Sequence, residues 1–436
     1  MAKDTKYNAR KISIYQMFPF IYSKEGTLNK ASERLGEIKD MGFDYVYLLP
    51  IHERGKLNSK GTYGSPYAIR DYYSIDKHIG TINDFEQFVK KAHSIGLKVM
   101  IDVVFNHSAC DCVYTKNHPE YYLKDKEGNF TRKVADWSDV YDFDYSCKEL
   151  RKELIKVLKY WANKGIDGIR CDVASLVPVN FWKEARRELK KINPDFFMLA
   201  ESTHMGLVMY MRYRGYYAAS DNDLYEAFDA LYSYDIAEEY NAATTKDNLL
   251  PYIRAINYQQ GIFPKNALKL YHLENHDYPR IYSLVKNKTK VRQWVSFSFL
   301  AKGVSFVYAG QECYASHLPN FFEKEDLDWT KLDKNYVALI TKLNKLKKSM
   351  FNDNSYIDYK LYPNAKALIF SQRDEKEEYF GIFNVTNSKG EVEIDIDDGE
   401  YVNLIDDEKI IIKKGKTSLI NKPILIKRVN LNPDKF

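Results

Sequence analysis

The chain has 436 residues, of which 45% are hydrophobic and 29% are charged. This balance is typical of a globular protein with a large core and excludes an intrinsically disordered chain. Lys and Arg number 65 and Asp and Glu number 60, and so small an excess argues against nucleic acid as the main partner. The five cysteines are scattered, and the sequence starts MAKDTKYNARKISIYQMF, without an apolar signal segment. We therefore expect a cytoplasmic protein with reduced thiols and no membrane partner.

Short β-type runs recur along the first three quarters of the chain, and amphipathic helical stretches such as 147–164 and 180–192 separate them. The predicted strands are, in chain order, 11–17, 45–50, 98–105, 168–174, 197–201, a weaker run at 228–232, 269–273 and 304–309. Alternating strands and helices indicate a parallel sheet with crossover helices. Eight such units predict an α/β protein built on a closed (β/α)8 TIM barrel.

Two regions lie outside this alternation. Residues 107–145 follow the third strand without a clean helical period, and so long a connection usually has a function. We predict that they form a short excursion domain beside the barrel mouth. After residue 348, short alternating segments separated by turns predict a C-terminal antiparallel β-sandwich. The predicted organisation is a barrel of residues 1–106 and 146–348, an excursion domain of residues 107–145 and a C-terminal domain of residues 349–436.

Polar side chains stand where the predicted strands end, which is where barrel enzymes carry their chemistry. They include Asp102, Asn106, His107, Arg170, Asp172, Glu201, His276, Asp277 and Glu312. Carboxylates that share one barrel mouth repel one another, so some are expected to hold a proton while others are ionised. Cleavage of a glycosidic bond uses both states, because one carboxylate attacks while a carboxylic acid protonates the leaving oxygen.

The individual side chains also have structural interpretations. A carboxylate at a strand end can cap the next helix, so it is the whole set that indicates catalysis. We expect Asp102, which lies within its strand, to orient neighbouring groups, and Glu312 to be structural. Arg170 lies two residues before Asp172, so both side chains should point to one side of the strand, where the guanidinium keeps Asp172 ionised.

Four segments resemble the four short regions that define the α-amylase family of retaining glycosidases. They are DVVFNH at 102–107, GIRCDV at 168–173, LAE at 199–201 and LENHD at 273–277, and they occur in the order found in the family. Residues 42–50 resemble the second strand of the family, and SPYAIRDY at 65–72 resembles the segment that supplies a stacking tyrosine. GQE at 310–312 resembles the end of the eighth strand, so the resemblance covers residues 10–430.

The resemblance implies that Asp172 is the nucleophile, Glu201 the general acid/base and Asp277 a third carboxylate that binds hydroxyls of the distorted sugar. It also implies a set of substrate-binding residues, with Tyr67 stacked on the sugar face: Tyr67, Asp71, His107, Arg170 and His276. The implied reaction passes through a covalent glucosyl intermediate on Asp172 and retains the anomeric configuration. The implied substrates are maltooligosaccharides or short α-glucans, cleaved at α-glucosidic bonds.

The sequence departs from many endo-amylases directly after Asp172. Those relatives carry a Lys-His pair that serves a leaving-group subsite and a calcium ion, whereas this chain reads VASLVP at 173–178. Asn106 matches a position that often ligates calcium, with Asp111, Asp136 and Asp139 as candidate co-ligands. The implied reaction requires no cofactor, and a structural calcium ion at Asn106 stays open.

Three functions stay open at this stage. The leading one is hydrolysis, and the second is a transglucosylase or sugar isomerase on the same scaffold, which differs in the acceptor that reaches the covalent intermediate. The third is a non-catalytic carbohydrate-binding relative, which is disfavoured because Asp172, Glu201 and Asp277 are all present. The expected partner is the oligosaccharide or α-glucan substrate alone, and the expected state is a monomer.

Overall fold

The structure is a computed structural model that describes residues 2–351, 355–362 and 365–429. These residues form two compact units. The first comprises residues 2–5, Ile14–Asp235 and Pro319–Leu327, and the second comprises Lys6–Ser13, Ile236–Leu318 and the described residues from 328 onward. Within the described ranges, no helix is both long enough and apolar enough to cross a membrane.

The described residues contain twenty strands. In chain order they are β1 (Ser13–Met17), β2 (Tyr45–Leu48), β3 (His52–Arg54), β4 (Ile69–Ile75), β5 (Lys98–Val103), β6 (His107–Ala109), β7 (Val140–Asp142), β8 (Gly168–Cys171), β9 (Phe197–Ala200), β10 (Ala230–Tyr232), β11 (Lys269–Tyr271), β12 (Gly303–Tyr308), β13 (Tyr356–Tyr359), β14 (Leu368–Arg373), β15 (Glu377–Phe383), β16 (Glu391–Glu393), β17 (Gly399–Val402), β18 (Lys409–Ile412), β19 (Lys416–Ser418) and β20 (Ile424–Val429).

The α-helices of the described residues are α1 (Pro19–Tyr22), α2 (Leu28–Ser32), α3 (Leu35–Asp40), α4 (Ile82–Ser94), α5 (Val113–Asn117), α6 (Lys148–Asn163), α7 (Val179–Ile192), α8 (Met205–Tyr213), α9 (Asp221–Leu224), α10 (Ala237–Lys246), α11 (Leu249–Ile262), α12 (Ile281–Val285), α13 (Lys288–Leu300) and α14 (Lys334–Met350). Helix α4 begins with a capping box, because the Thr81 hydroxyl accepts from the Asp84 backbone and the Asp84 carboxylate accepts from the Thr81 backbone. Helices α6 and α7 lie within one residue of the predicted bounds.

Eight parallel strands close into a barrel in the order β1-β2-β5-β8-β9-β10-β11-β12. This confirms the predicted (β/α)8 barrel. Strands β2 and β12 are buried along their whole length, as expected for parallel strands that are covered on both faces. The register pairs Asp102 of β5 with Arg170 of β8, so two predicted site residues are neighbours on adjacent strands.

Several barrel strands end before their predicted ends. Strand β5 ends at Val103, β8 at Cys171 and β11 at Tyr271. For β8 the physical reason is local, because Val173 adopts a left-handed conformation with φ 34° and ψ 47°, which an extended strand cannot contain. Asp172 and His272, which were predicted inside their strands, therefore lie just after the strand ends, whereas Asp102 and Arg170 lie within β5 and β8.

The connection after β5 carries some regular structure where no periodicity was visible. Strand β6 pairs with β7 in antiparallel register, with His107 opposite Asp142, and the short helix α5 lies between them in sequence. Ala109 and Val140 pack with Ala68 in a small apolar cluster. The bounds of an excursion domain at 107–145 stay a prediction.

The C-terminal strands are antiparallel, which confirms the predicted fold class for this region. Strands β13-β14-β15-β20 form one sheet, and β16-β19 and β17-β18 form two short ladders. The two sets share one core of buried side chains, among them Ile369, Phe380, Ile382, Ile394, Ile396, Ile410, Ile412, Ile424 and Ile426. Alternating burial in β18 is typical of a strand with one face on a core.

One buried histidine in the first unit makes the stability of the fold depend on pH. His52 in β3 packs against the rings of Trp161 and Tyr72, with centroids 5.2 and 6.0 Å away. Neither of its ring nitrogens has a hydrogen-bond partner among the described residues. Burial therefore lowers the pKa of His52 from 6.5 to about 4.

This pKa predicts an acid-sensitive fold. Between about pH 6.5 and about pH 4 the unfolded chain binds a proton at His52 that the native chain does not, so stability is lost as the pH falls through this window. When the pH is lowered from 7 to about 4.5, the free energy of unfolding should fall by about 2 kcal/mol less in His52→Leu than in wild type, as measured by urea unfolding. His118→Leu, at a half-exposed ring, serves as the control. Equal acid losses in His52→Leu and wild type would contradict the prediction.

Candidate active site

The centre of the candidate site in the first unit is the buried guanidinium of Arg170. Its Nη1 donates to both carboxylate oxygens of Asp102 at 2.9 Å and to Asp172 Oδ1 at 3.0 Å. Its Nη2 lies 3.0 Å from Glu201 Oε2, in an ion-pair contact rather than an aligned hydrogen bond. One cation thus contacts three carboxylates, and the predicted contact of Arg170 with Asp172 is present.

The neighbouring carboxylates keep the Arg170 side chain protonated. Burial disfavours the charged form, but Asp102 and Glu201 oppose this effect and raise the pKa of Arg170 well above its ordinary value. The rings of Tyr67 and Tyr232 lie 5.8 and 5.6 Å from the guanidinium carbon. Such contacts with aromatic faces also favour a cation.

Asp102 orients the cluster from the third strand of the barrel. Its side chain is fully buried, and its Oδ2 accepts from the hydroxyls of Tyr47 at 2.6 Å and Tyr67 at 3.0 Å. Because these bonds and those from Arg170 hold its oxygens, Asp102 fixes the guanidinium and the Tyr67 ring relative to each other. This arrangement agrees with the orienting function predicted for a carboxylate within a strand.

Glu201 is held by the backbone that follows Asp172. Its Oε2 accepts from the Val173 N–H at 2.6 Å, and its carbonyl oxygen accepts from the Ala174 N–H at 3.0 Å. Val173 makes this contact in a left-handed conformation that is costly for a β-branched residue. Its side chain packs with Leu176 and Val208, so apolar contacts help to hold the strained residue beside the carboxylates.

Access to the two carboxylates is narrow. The side chains of Asp172 and Glu201 are each 10% exposed, whereas that of Arg170 is 0% exposed. Solvent therefore reaches a small part of the Asp172 and Glu201 side chains, while Asp102 and the Arg170 cation are fully buried.

Asn106 and His107 follow β5 in the same unit. Asn106 Nδ2 donates to His107 Nδ1 at 3.0 Å, which places the imidazole proton on Nε2. Burial lowers the pKa of His107, so the ring is neutral at neutral pH. Asn106 Oδ1 accepts from the Lys133 ammonium at 2.6 Å.

Asp71 makes local contacts. Its carboxylate accepts from the Tyr73 backbone and from the Ser74 hydroxyl, both within β4. The structure therefore shows Asp71 bracing its own strand, and the substrate-binding function inferred for it stays a prediction.

The second unit carries the remaining predicted residues after β11. Asn275 Oδ1 accepts from the backbones of Asp277 and Tyr278 at 2.8 Å, which forms a turn that presents Asp277. The Asp277 side chain is 44% exposed, and its Oδ2 lies 3.0 Å from Nε2 of the fully buried His276.

Two further carboxylates of the second unit make structural contacts. Glu274 pairs with the buried Arg280 at 2.7 Å and accepts from the Ile281 backbone at 2.7 Å. Glu312 accepts from the Gly310 backbone at 3.0 Å, in agreement with the structural function predicted for it.

Sequence reasoning missed three contributors to the site: Tyr47, the backbone N–H of Val173, and Lys133. Tyr47 occupies the second barrel strand, and an inward-facing tyrosine there could have been proposed from the alternation of the strand. The contact from Val173 depends on a left-handed turn that a β-branched residue does not signal. Lys133 lies in a segment without periodicity, so its burial had no signal in the sequence.

The cluster predicts a large stability cost for removing its cation. Arg170→Met leaves three carboxylates without the guanidinium and is expected to lower the free energy of unfolding by about 3–5 kcal/mol, measured by urea unfolding near pH 7. Lys183→Met, which removes an exposed pair with Glu226, should cost about 1 kcal/mol or less. Equal costs for the two variants would show that the cluster does not depend on its cation.

Comparison with known proteins identifies the family to which the chain belongs. The model of the α-amylase catalytic domain matches residues 5–355, and that of the bacterial α-amylase C-terminal domain matches residues 359–426. An α-amylase structure from Lactobacillus plantarum superposes with a TM-score of 0.93 and 35% identity, over 97% of this chain and 100% of that one. A maltogenic α-amylase from Thermotoga neapolitana gives a TM-score of 0.86 and 31% identity over the same shares.

Curated relatives include both hydrolases and transferases. The α-1,4-glucan:maltose-1-phosphate maltosyltransferase of Salinibacter ruber is 32% identical over 230 residues, which are 46% of this chain and 34% of that protein. The chain therefore spans about a third of the length of that transferase. Alpha-amylase 3 of Dictyoglomus thermophilum is 24% identical over 336 residues, which are 70% of this chain and 64% of that protein. The catalytic-domain match, the closed barrel and the carboxylate cluster at its strand ends show that the chain belongs to the α-amylase family of enzymes that act on glycosidic bonds.

Proposed function

We propose that this protein is a retaining glycoside hydrolase that cleaves α-glucosidic bonds in maltooligosaccharides or short α-glucans. The observation that carries the proposal is the contact of one buried guanidinium with both Asp172 and Glu201. A retaining mechanism needs two carboxyl groups in different protonation states near the scissile bond. Two carboxyl groups that share a cation but differ in their hydrogen bonds can differ in pKa, so one can be ionised while the other carries a proton.

In this proposal Asp172 is the nucleophile. The Arg170 Nη1 donates to its Oδ1, which favours the ionised form that attacks the anomeric carbon. Attack from Asp172 breaks the glycosidic bond and forms a covalent glucosyl ester.

Glu201 is proposed as the general acid/base. Its Oε2 is engaged by the Val173 N–H and by Arg170, so the proton of the acid form belongs on Oε1. Glu201 donates this proton to the leaving oxygen and then takes one from the attacking water, which restores both carboxyl groups.

We propose that four of the remaining predicted residues bind the sugar. Tyr67 keeps its hydroxyl on Asp102 and offers a partly buried ring for stacking on the sugar face. His107 is neutral and can hydrogen-bond a sugar hydroxyl without adding charge. We assign Asp277 and His276 to sugar hydroxyls, because the exposed carboxylate and the buried imidazole are already paired with each other.

Substitution of the two carboxylates tests the assignment. Glu201→Gln is expected to reduce kcat/KM on maltotetraose by about 10²–10⁴-fold. The loss should be much smaller on an aryl α-maltoside with a 4-nitrophenol leaving group, because that group departs without protonation. Asp172→Asn should abolish turnover of both substrates, since both need the nucleophile. Initial-rate measurements on the two substrates separate the two functions.

Glu226→Gln is the matched control, because Glu226 lies on the surface in an exposed ion pair. It should leave both rates unchanged. Circular dichroism establishes that each variant is folded. Wild-type rates in folded Asp172→Asn or Glu201→Gln would contradict the mechanism, and so would equal losses of Glu201→Gln on both substrates.

A second candidate is transfer of maltosyl or glucosyl groups to a sugar acceptor. It is favoured by the 32% identity to the Salinibacter ruber maltosyltransferase. Hydrolysis and transfer share the covalent intermediate and differ in whether water or a sugar hydroxyl attacks it. We place hydrolysis first because the two superposed structures that match 97% of this chain at 31–35% identity are named α-amylases.

Product analysis distinguishes the two candidates. Wild-type protein and Asp172→Asn are incubated with maltotetraose, panose, trehalose, and maltose 1-phosphate with glycogen. Hydrolysis predicts glucose or maltose from an oligosaccharide in the wild-type reaction only. Longer oligomers, lengthened glycogen chains or isomerised disaccharides would establish transfer or isomerisation instead.

A further inference from the structure

Lys133 is a buried cation in the segment that connects β6 and β7. Its side chain is 7% exposed. Its Nζ donates to Asn106 Oδ1 at 2.6 Å and to the Leu176 carbonyl at 3.4 Å, and it lies 3.6 Å from Asp142 Oδ2. Lysine is almost never fully buried without a partner, so these three oxygens are what hold the ammonium inside.

The oxygens around Asn106 do not fit the calcium ion that the family resemblance left open. Calcium takes about six to eight oxygen ligands at about 2.3–2.6 Å. The Lys133 ammonium already occupies that distance from Asn106 Oδ1, so an ion bound to the same oxygen would collide with it and be repelled by its charge.

Two of the three candidate co-ligands are engaged in other contacts. Asp111 accepts from the Lys56 backbone at 3.1 Å, and Asp139 pairs with Lys60 at 3.3 Å. Across the described ranges, no group of three or more His, Cys, Asp or Glu side chains is arranged to hold a metal ion.

We propose that the Lys133 ammonium takes the place of a divalent cation at Asn106, so that the fold of this enzyme is stable without calcium. Charge supports the proposal, because the ammonium of Lys133 balances the buried carboxylate that it contacts, Asp142. A divalent ion added beside Lys133 would leave the group with excess positive charge in a buried place, which is costly.

Geometry supports it as well, because Lys133 links three separate parts of the first unit. Asn106 follows β5, Asp142 ends β7, and Leu176 ends the short helix Ala174–Leu176 that follows Asp172. The Lys133 backbone N–H also donates to Asp142 Oδ2 at 3.0 Å. A single side chain thus supplies the cross-links that a metal ion would provide.

The test measures metal content and thermal stability of the whole protein. The desalted wild type is analysed by plasma mass spectrometry, and its Tm is measured with excess EDTA and with added calcium. We expect no stoichiometric divalent metal and the same Tm in both buffers within about 1 °C. Lys133→Met should lower the Tm by about 5 °C or more, because Asp142 stays buried without its counter-charge.

Lys183→Met is the control, because both side chains of its pair with Glu226 are more than half exposed. It should change the Tm by about 1 °C or less. Stoichiometric calcium in the wild type whose removal lowers the Tm would overturn the proposal. So would a Lys133→Met protein as stable as Lys183→Met.

A second variant covers the case in which Lys133→Met does not fold. Lys133→Met/Asp142→Asn removes both charges and is expected to recover folding and part of the lost Tm. A double variant no more stable than the single one would count against the charge balance that we assign to this pair. The metal content and Tm of the wild type test whether the fold depends on calcium, independently of both variants.

Discussion

The candidate active site depends on the guanidinium of Arg170, which contacts Asp102, Asp172 and Glu201. Three carboxylates and one cation leave an excess of negative charge among these four groups when all are ionised. Such an excess is costly in a buried place, and the proton that the proposed mechanism places on Glu201 reduces it. A general acid requires that protonated state, while contact with the cation favours the ionised state that a nucleophile requires.

Barrel register and a strained turn bring these groups together. Pairing of β5 with β8 sets Asp102 beside Arg170, and the left-handed Val173 turns its N–H towards Glu201. Strain of this kind persists only where surrounding contacts enforce it, and here Val173 packs in an apolar cluster. The apolar packing of Val173 therefore helps to fix the position of the Glu201 carboxylate.

Much of this could be predicted from the sequence, because strand alternation and the four short motifs are local signals. The eight barrel strands and the contact of Arg170 with Asp172 follow from spacing alone. Three features could not be predicted in this way. The hydroxyl of Tyr47 reaches Asp102 only after the strands pair. Strand β8 is followed by Val173 in a left-handed conformation that valine rarely adopts. Lys133 is buried by contacts with residues that are distant in sequence. Each depends on tertiary packing rather than on local pattern.

The central claim is that Asp172 forms a covalent bond with the substrate and that Glu201 assists its formation and hydrolysis. Trapping that bond tests the claim most directly. Glu201→Gln is incubated with α-maltosyl fluoride, whose fluoride leaves without an acid, while the missing base slows hydrolysis of the ester. Peptide mass spectrometry of the digested protein should then show a maltosyl group on the peptide that contains Asp172. A label on a different carboxylate, or turnover of the fluoride with no labelled peptide, would contradict the account.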